Sequence, residues 1–277
     1  MTNRLRAWIG LLLLAWLAWP ASAAPVFTLG VLPIHSARVL AERYEPLRAY
    51  LEQQLRQPVR IESAADFSRF QARTLRGEFD LTITPAHFAR LAQKDAGFQP
   101  LVQFTPDHDT LLICAADRPL ASVRALQGKQ LAVVDRLAII VMATLSYLES
   151  QGLESGRDYQ ISEHRSHASA GYSLLSGLSA AAVSSSQGLL QLPDDLRRKL
   201  VVQQHIADIP AFVVLAKPDL DRARVERLKA LLLGFANQAE GSDFFARIGY
   251  AGFIASSEAR LKRVDSYLKA TRKALGP

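Results

Sequence analysis

The chain has 277 residues, 49% of them apolar, and carries 33 Lys and Arg against 26 Asp and Glu, a formal charge of +7. That excess is modest and scattered, with no basic run and no interleaved aromatics, which argues against nucleic acid as a partner. The single cysteine, Cys114, excludes an internal disulfide, so the fold must rest on an apolar core, for which this length suffices as one large or two medium domains.

Residues 1–23 read as a secretory signal peptide. Arg4 and Arg6 precede an apolar run over 7–19, Pro20 breaks it, and Ala21-Ser22-Ala23 places small residues at −3 and −1 of a cleavage site. The run is shorter than the ~20 residues of a membrane-spanning helix. Cleavage after Ala23 removes Trp8, Trp16 and Trp19, the only tryptophans, and two basic residues but no acidic one, so the mature charge is expected to be +5. Ala24 rather than Cys follows the cut, so no lipid anchor is expected. The mature chain is expected as a monomer, free in the periplasm of a Gram-negative cell.

Strand and helix signals then alternate. A strand over 26–32 ends at Pro33. An amphipathic helix over 37–55 carries Leu40, Leu47, Leu51 and Leu55 at helical spacing, and Pro46 is expected to break or kink it. Tyr44 and Tyr50 read as core and rim residues of that helix. A strand over 59–63 precedes a helix capped by Asp66 and closed by Gly77. A strand over 79–84, a short helix over 88–94 and strands over 101–104 and 111–115 follow. The second block repeats this grammar. Ser122 caps a short helix; a strand over 130–134 leads to a helix over 139–151. Next come a strand over 159–163, a helix over 168–175, a strand over 180–184, a helix entered near Pro193, and strands over 201–204 and 212–215. The tail reads as three helices over 221–239, 242–248 and 256–275.

Such alternation predicts an α/β fold with largely parallel sheets. Crossings near 108–112 and 208–212 would divide it into two lobes, 24–110 with 213–277, and 111–212. In such sheets ligands bind beyond the carboxyl ends of strands, where helix starts present free N–H groups. That rule selects five segments: 33–36, 84–87, 135–138, 164–169 and 184–187.

A family resemblance runs through the same segments. Tyr44-Glu45-Pro46-Leu47 through Tyr50-Leu51, Gly77-Glu78-Phe79-Asp80 followed by Thr84-Pro85-Ala86-His87, Leu126-Gln127-Gly128-Lys129, Ser166-His167 and Ile209-Pro210-Ala211-Phe212 occur in order. Together they resemble the periplasmic solute-binding proteins of phosphate, phosphite and phosphonate ABC transporters. The resemblance implies a two-lobed type II periplasmic-binding fold, a small oxyanion held between the lobes, and a membrane permease as partner. A periplasmic sensor subunit, reporting to a membrane histidine kinase or cyclase, is the alternative role. One departure stands out. Where the family carries a Ser/Thr-x-Ser-Gly turn that cradles the oxyanion, this chain has Asp135-Arg136-Leu137-Ala138-Ile139-Ile140-Val141. A dry wall does not replace hydrogen bonds to a dianion, so a larger or more apolar anion is expected.

Candidate ligand-binding residues are His35, Ser36, Thr84, His87, Ser166, His167, Ser184 and Ser185, each with a structural alternative as a cap or a self-satisfied loop residue. Arg136 could hold an oxyanion bidentately in place of the missing hydroxyls. Asp208 could accept a ligand amine or serve a hinge bond. His164 and His167 can share a helical face, but Arg165 between them repels a cation, so no metal is expected. Nucleophile-elbow, dinucleotide-loop and zinc-protease motifs are absent, so a binding protein without cofactor, not an enzyme, is expected.

Overall fold

The computed structural model describes residues 25–276, so the signal-peptide reading of residues 1–23 lies outside the described residues. The first block runs β1 (Phe27–Val31), α1 (Ala37–Leu55), β2 (Val59–Glu62), α2 (Phe67–Leu75), β3 (Leu81–Thr84), α3 (Ala86–Ala96) and β4 (Gln99–Thr105). The second runs β5 (His108–Ala115), β6 (Gln130–Val133), α4 (Ile139–Ser150), β7 (Gln160–Glu163), α5 (His167–Leu175), β8 (Ala181–Ser184), α6 (Ser186–Leu190), α7 (Asp194–Arg197) and β9 (Leu200–Ile209). The chain then returns through β10 (Val213–Ala216), α8 (Arg222–Phe235), α9 (Ala239–Ile248), β11 (Gly252–Ala255), α10 (Glu258–Lys262) and α11 (Leu268–Leu275). Among the described residues no helix is long and apolar enough to cross a membrane.

Two sheets result, with strand orders β2-β1-β3-β10-β4-β11 and β7-β6-β8-β5-β9. Both obey one rule: three parallel strands, then the strand that has just crossed over from the other sheet, inserted antiparallel. The sheets are therefore more mixed than simple alternation predicts. The inserted strands β5 and β10 enter from the opposite end, because each follows a direct crossing with no helix to reverse it. Those crossings are short: Pro106 and Asp107 on the way out, residues 210–212 on the way back.

Local chemistry accounts for the elements. Pro46 does not break α1, whose Leu40, Tyr44, Leu47, Tyr50 and Leu51 are all buried; tertiary packing of that face outweighs one missing hydrogen bond. Asp66 caps α2 by accepting the Arg69 N–H at 2.7 Å. The strand β11 lay hidden in a tail that reads as helical, because Gly252–Ala255 is too short to show alternation.

One apolar core joins the first sheet to α1, α8 and α9 through Phe104, Phe235, Phe244, Phe245 and Phe253. Each such ring contributes roughly 1.5–3 kcal/mol on burial. A second core is shared between the sheets. Ala86, Ala89 and Ala92 of α3 meet Leu131, Val133, Ile139 and Val141 from the second block, and Leu261 and Val264 of the tail join them. The tail also secures both crossings: Arg260 and Arg263 pair with Asp107, and Arg263 donates to the Asp208 carbonyl at 2.7 Å.

Candidate ligand-binding cleft

A cleft of about 270 Å³ lies between the two sheets. All five segments selected from the sequence contribute to its lining, through Pro33 to His35, Pro85, Asp135 and Ala138, Arg165 to His167, and Ser185 with Gln187. Five helices of eight or more residues start at or beside it: α1, α2, α3, α4 and α5. Their first N–H groups have no intrahelical partner, and the aligned peptide dipoles put positive potential there.

The five starts differ in what they leave free. Ser36 accepts from the Val39 N–H, at a long 3.5 Å. Ser166 and Ser169 form a reciprocal capping box at the start of α5, each bond 3.1 Å. The starts of α3 and α4 have no side-chain cap. The Asp135 carboxylate, which could have served, instead accepts the Leu137 N–H at 2.7 Å. The N–H groups of Ile139 and Ile140 find no partner among the described residues.

Three histidines face the cleft. The Nε2 of His35 lies 3.0 Å from an Arg43 guanidinium N–H, which can only donate, so the His35 proton sits on Nδ1. His108 shares a 2.5 Å hydrogen bond with the Tyr250 hydroxyl. His167 has no hydrogen-bond partner among the described residues and rests against Gly188, where a Cβ would fall 2.8 Å from its Cε1. Burial, above all, pushes each of the three down to about 4, so they are neutral at pH 7. The Tyr44 hydroxyl also has no partner among the described residues, and burial pushes it upward. Arg165 is exposed, with no ion-pair partner among the described residues. Against these donors stand Asp66 and Asp135. Burial holds the Asp135 carboxyl above the usual carboxylate range, and the charges of Glu163 and Asp66 add to the effect.

Of the ten candidates, His35, Ser166, His167 and Ser185 line the cleft. The Ser166 and Ser185 hydroxyls are already engaged in capping, Ser185 on the Gly188 N–H. The remaining six do not line it. Ser36 is the N-cap of α1, Thr84 is buried in the β3 ladder opposite Val213, and Ser184 is buried with its hydroxyl toward the Ser185 carbonyl. His87 is fully buried; its Nε2–H donates to the Leu137 carbonyl at 2.9 Å, a bond that ties α3 to the turn before α4. Arg136 points away and pairs with Glu163 at 2.5 Å, both side chains about half exposed. Solvent on that side hydrates the guanidinium, so it has no reason to turn inward. Asp208 accepts from His205 at 3.0 Å, beside the return crossing.

Sequence reasoning passed over Arg43, Tyr44, His108 and Tyr250. Arg43 stands two helical turns beyond Ser36, and that spacing could have found it. Tyr250 reaches the cleft only through the tail's return, which no local signal encodes.

Two sheets, two crossings and one cleft lined by helix starts define a two-lobed ligand-binding protein. The sequence pattern of the family described as ABC transporter, phosphonate, periplasmic substrate-binding protein matches residues 29–261, and the chain belongs to that family. The family is one of periplasmic substrate-binding components, whose partners are a small-molecule ligand and an ABC permease. No curated protein matches its sequence. Among solved structures, a Xanthomonas citri protein bound to chloride ion is similar at 20% identity and TM-score 0.75, over 90% of this chain and 99% of that one. The binding component of a Pseudomonas aeruginosa ABC phosphonate transporter is similar at 17% identity and TM-score 0.76, over 91% and 89%. PhnD1 from Prochlorococcus marinus, in complex with methylphosphonate, is similar at 14% identity and TM-score 0.76, over 88% and 97%. At these identities the likeness is one of fold.

Proposed function

We propose that this chain captures a small oxyanion in the cleft and presents it, closed, to the permease of an ABC transporter. The observation that carries this reading is the uncapped start of α4, with two free N–H groups at a cleft that four further helix starts share. Arg43, Arg165, His167 and the Tyr44 hydroxyl supply further donors. The solved relatives bound to chloride and methylphosphonate are anion complexes, and a second form of the Xanthomonas citri protein is bound to ATP. In this reading the two sheets are the two lobes, they rotate about Pro106–Asp107 and residues 210–212, and the tail carries the clamp on both hinges. The protein works as a monomer.

The test is a thermal-melt series of the mature chain with phosphate, phosphite, phosphonates, sulfonates and carboxylates. A ligand at 100 times its dissociation constant adds about 2.7 kcal/mol to stability, and at least one anion is expected to raise the melting temperature accordingly. A rise with neutral or cationic solutes and with no anion would overturn the reading.

A further inference from the structure

The formal charges that line the cleft balance. Its lining holds two guanidinium groups, Arg43 and Arg165, and two carboxylates, Asp66 and Asp135, while His35, His108 and His167 are neutral at pH 7. The formal sum is zero. Asp135 is partly buried, and Glu163 and Asp66 already raise its carboxyl. A ligand's second negative charge beside it would meet repulsion where water screens poorly.

The cleft also offers more apolar wall than a small anion can use. Ile139, Ile140 and Val141 flank the two free N–H groups, and Val134, Val183 and Phe212 extend the wall. This surface gives no hydrogen bond to a phosphate oxygen. It can bury hydrocarbon, at about a fourfold gain in affinity per methylene.

We propose that the ligand is an organic monoanion: a singly charged oxyanion head at the start of α4, and an apolar body against the Ile139–Val141 wall, with Asp135 as the residue that rejects dianions. The inference rests on the anion-binding reading above and narrows it to a class.

Calorimetry at about pH 8.5 separates the two. Benzenesulfonate and phenylphosphonate share a ring and a tetrahedral head but differ by one charge; methanesulfonate keeps the charge and loses the ring. Benzenesulfonate is expected to bind at least about tenfold tighter than either, each gap corresponding to about 1.4 kcal/mol. Asp135→Asn keeps the acceptor for the Leu137 N–H and removes the charge. It is expected to narrow the sulfonate–phosphonate gap about fivefold or more, the equivalent of about 1 kcal/mol, while the ring preference stays. If inorganic phosphate or methylphosphonate binds as tightly as benzenesulfonate, the monoanion inference falls and the anion reading survives. If Asp135→Asn, folded by its melt, leaves the gap unchanged, the selection by Asp135 is overturned. If none of these anions binds, the anion reading itself fails and takes the inference with it.

Discussion

The starts of α4 and α5 face one cleft from one sheet and satisfy their first N–H groups in opposite ways. At α5, Ser166 and Ser169 cap each other reciprocally. At α4, Ala138 offers no side chain to do so, and the Ile139 and Ile140 N–H groups stay open. The hydroxyls that draw attention in the sequence are therefore spent inside the protein. Among the donors left for a ligand are two backbone N–H groups in a segment, Ala138 to Val141, whose side chains are all apolar. What a site can bind follows from what its own chain leaves unsatisfied, not from where its polar residues cluster.

The sharpest way to break this contrast removes one free N–H. Ile139 is the first residue of α4, where proline fits the helix, and the extended backbone of Ala138 suits a following proline. Ile139→Pro should weaken anion binding roughly tenfold to a hundredfold, the equivalent of one hydrogen bond to a charged group at about 1.5–3 kcal/mol. Ile139→Ala is the control for the lost side chain, and calorimetry should find it much closer to wild type.

His87 supports the turn before α4, and its burial makes that support sensitive to acid. Its folded value is lowered from 6.5 to about 3, so between those limits the unfolded chain binds the extra proton. Stability is then fully present above pH 6.5 and falls as pH drops toward 3. At pH 5 this single group should cost about 2 kcal/mol. His87→Gln keeps an N–H for the Leu137 carbonyl; its melting temperature should fall less than that of wild type between pH 7 and pH 5. Equal slopes would remove His87 from the account.

Gly188→Ala tests the α5 side. The new Cβ would sit 2.8 Å from the His167 ring and from the Ser184 hydroxyl, so the imidazole must move. Overpacking of this kind costs about 1–3 kcal/mol of stability, and anion affinity should drop with it if His167 touches the ligand. Ser166→Ala should cost about 1 kcal/mol of stability through the lost cap and leave affinity within about twofold, within 0.5 kcal/mol. Smallest of all, Arg136→Ala breaks only a solvated pair with Glu163, worth about 0–1 kcal/mol. Its affinity for anions should match wild type.

Much of the architecture was legible. Alternating apolar periods marked nearly every strand and helix, and the rule for ligand sites in such sheets pointed to the five segments that meet at the cleft. Strand order was not legible. The insertion of β5 and β10 into the opposite sheets depends on pairing between distant segments, which no local period records. Of the three imidazoles picked at helix starts, His35 and His167 line the cleft, while His87 is spent on the Leu137 carbonyl. Arg136 was expected inward because it occupies the turn before α4, yet Glu163, twenty-seven residues on, holds it outward. Tyr44 reads as core, and its ring does pack on Phe244, yet the residue also lines the cleft.

The central claim is that the bare start of α4 grips the ligand. Amide nuclear magnetic resonance of the ¹⁵N-labelled mature chain tests it directly, titrated with whichever anion most raises the melting temperature. The account predicts that the Ile139 and Ile140 amides shift most on binding, downfield as new hydrogen bonds form, while the capped Ser169 amide moves little. Saturable binding that leaves Ile139 and Ile140 in place and shifts Ser166 and Ser169 instead would contradict it.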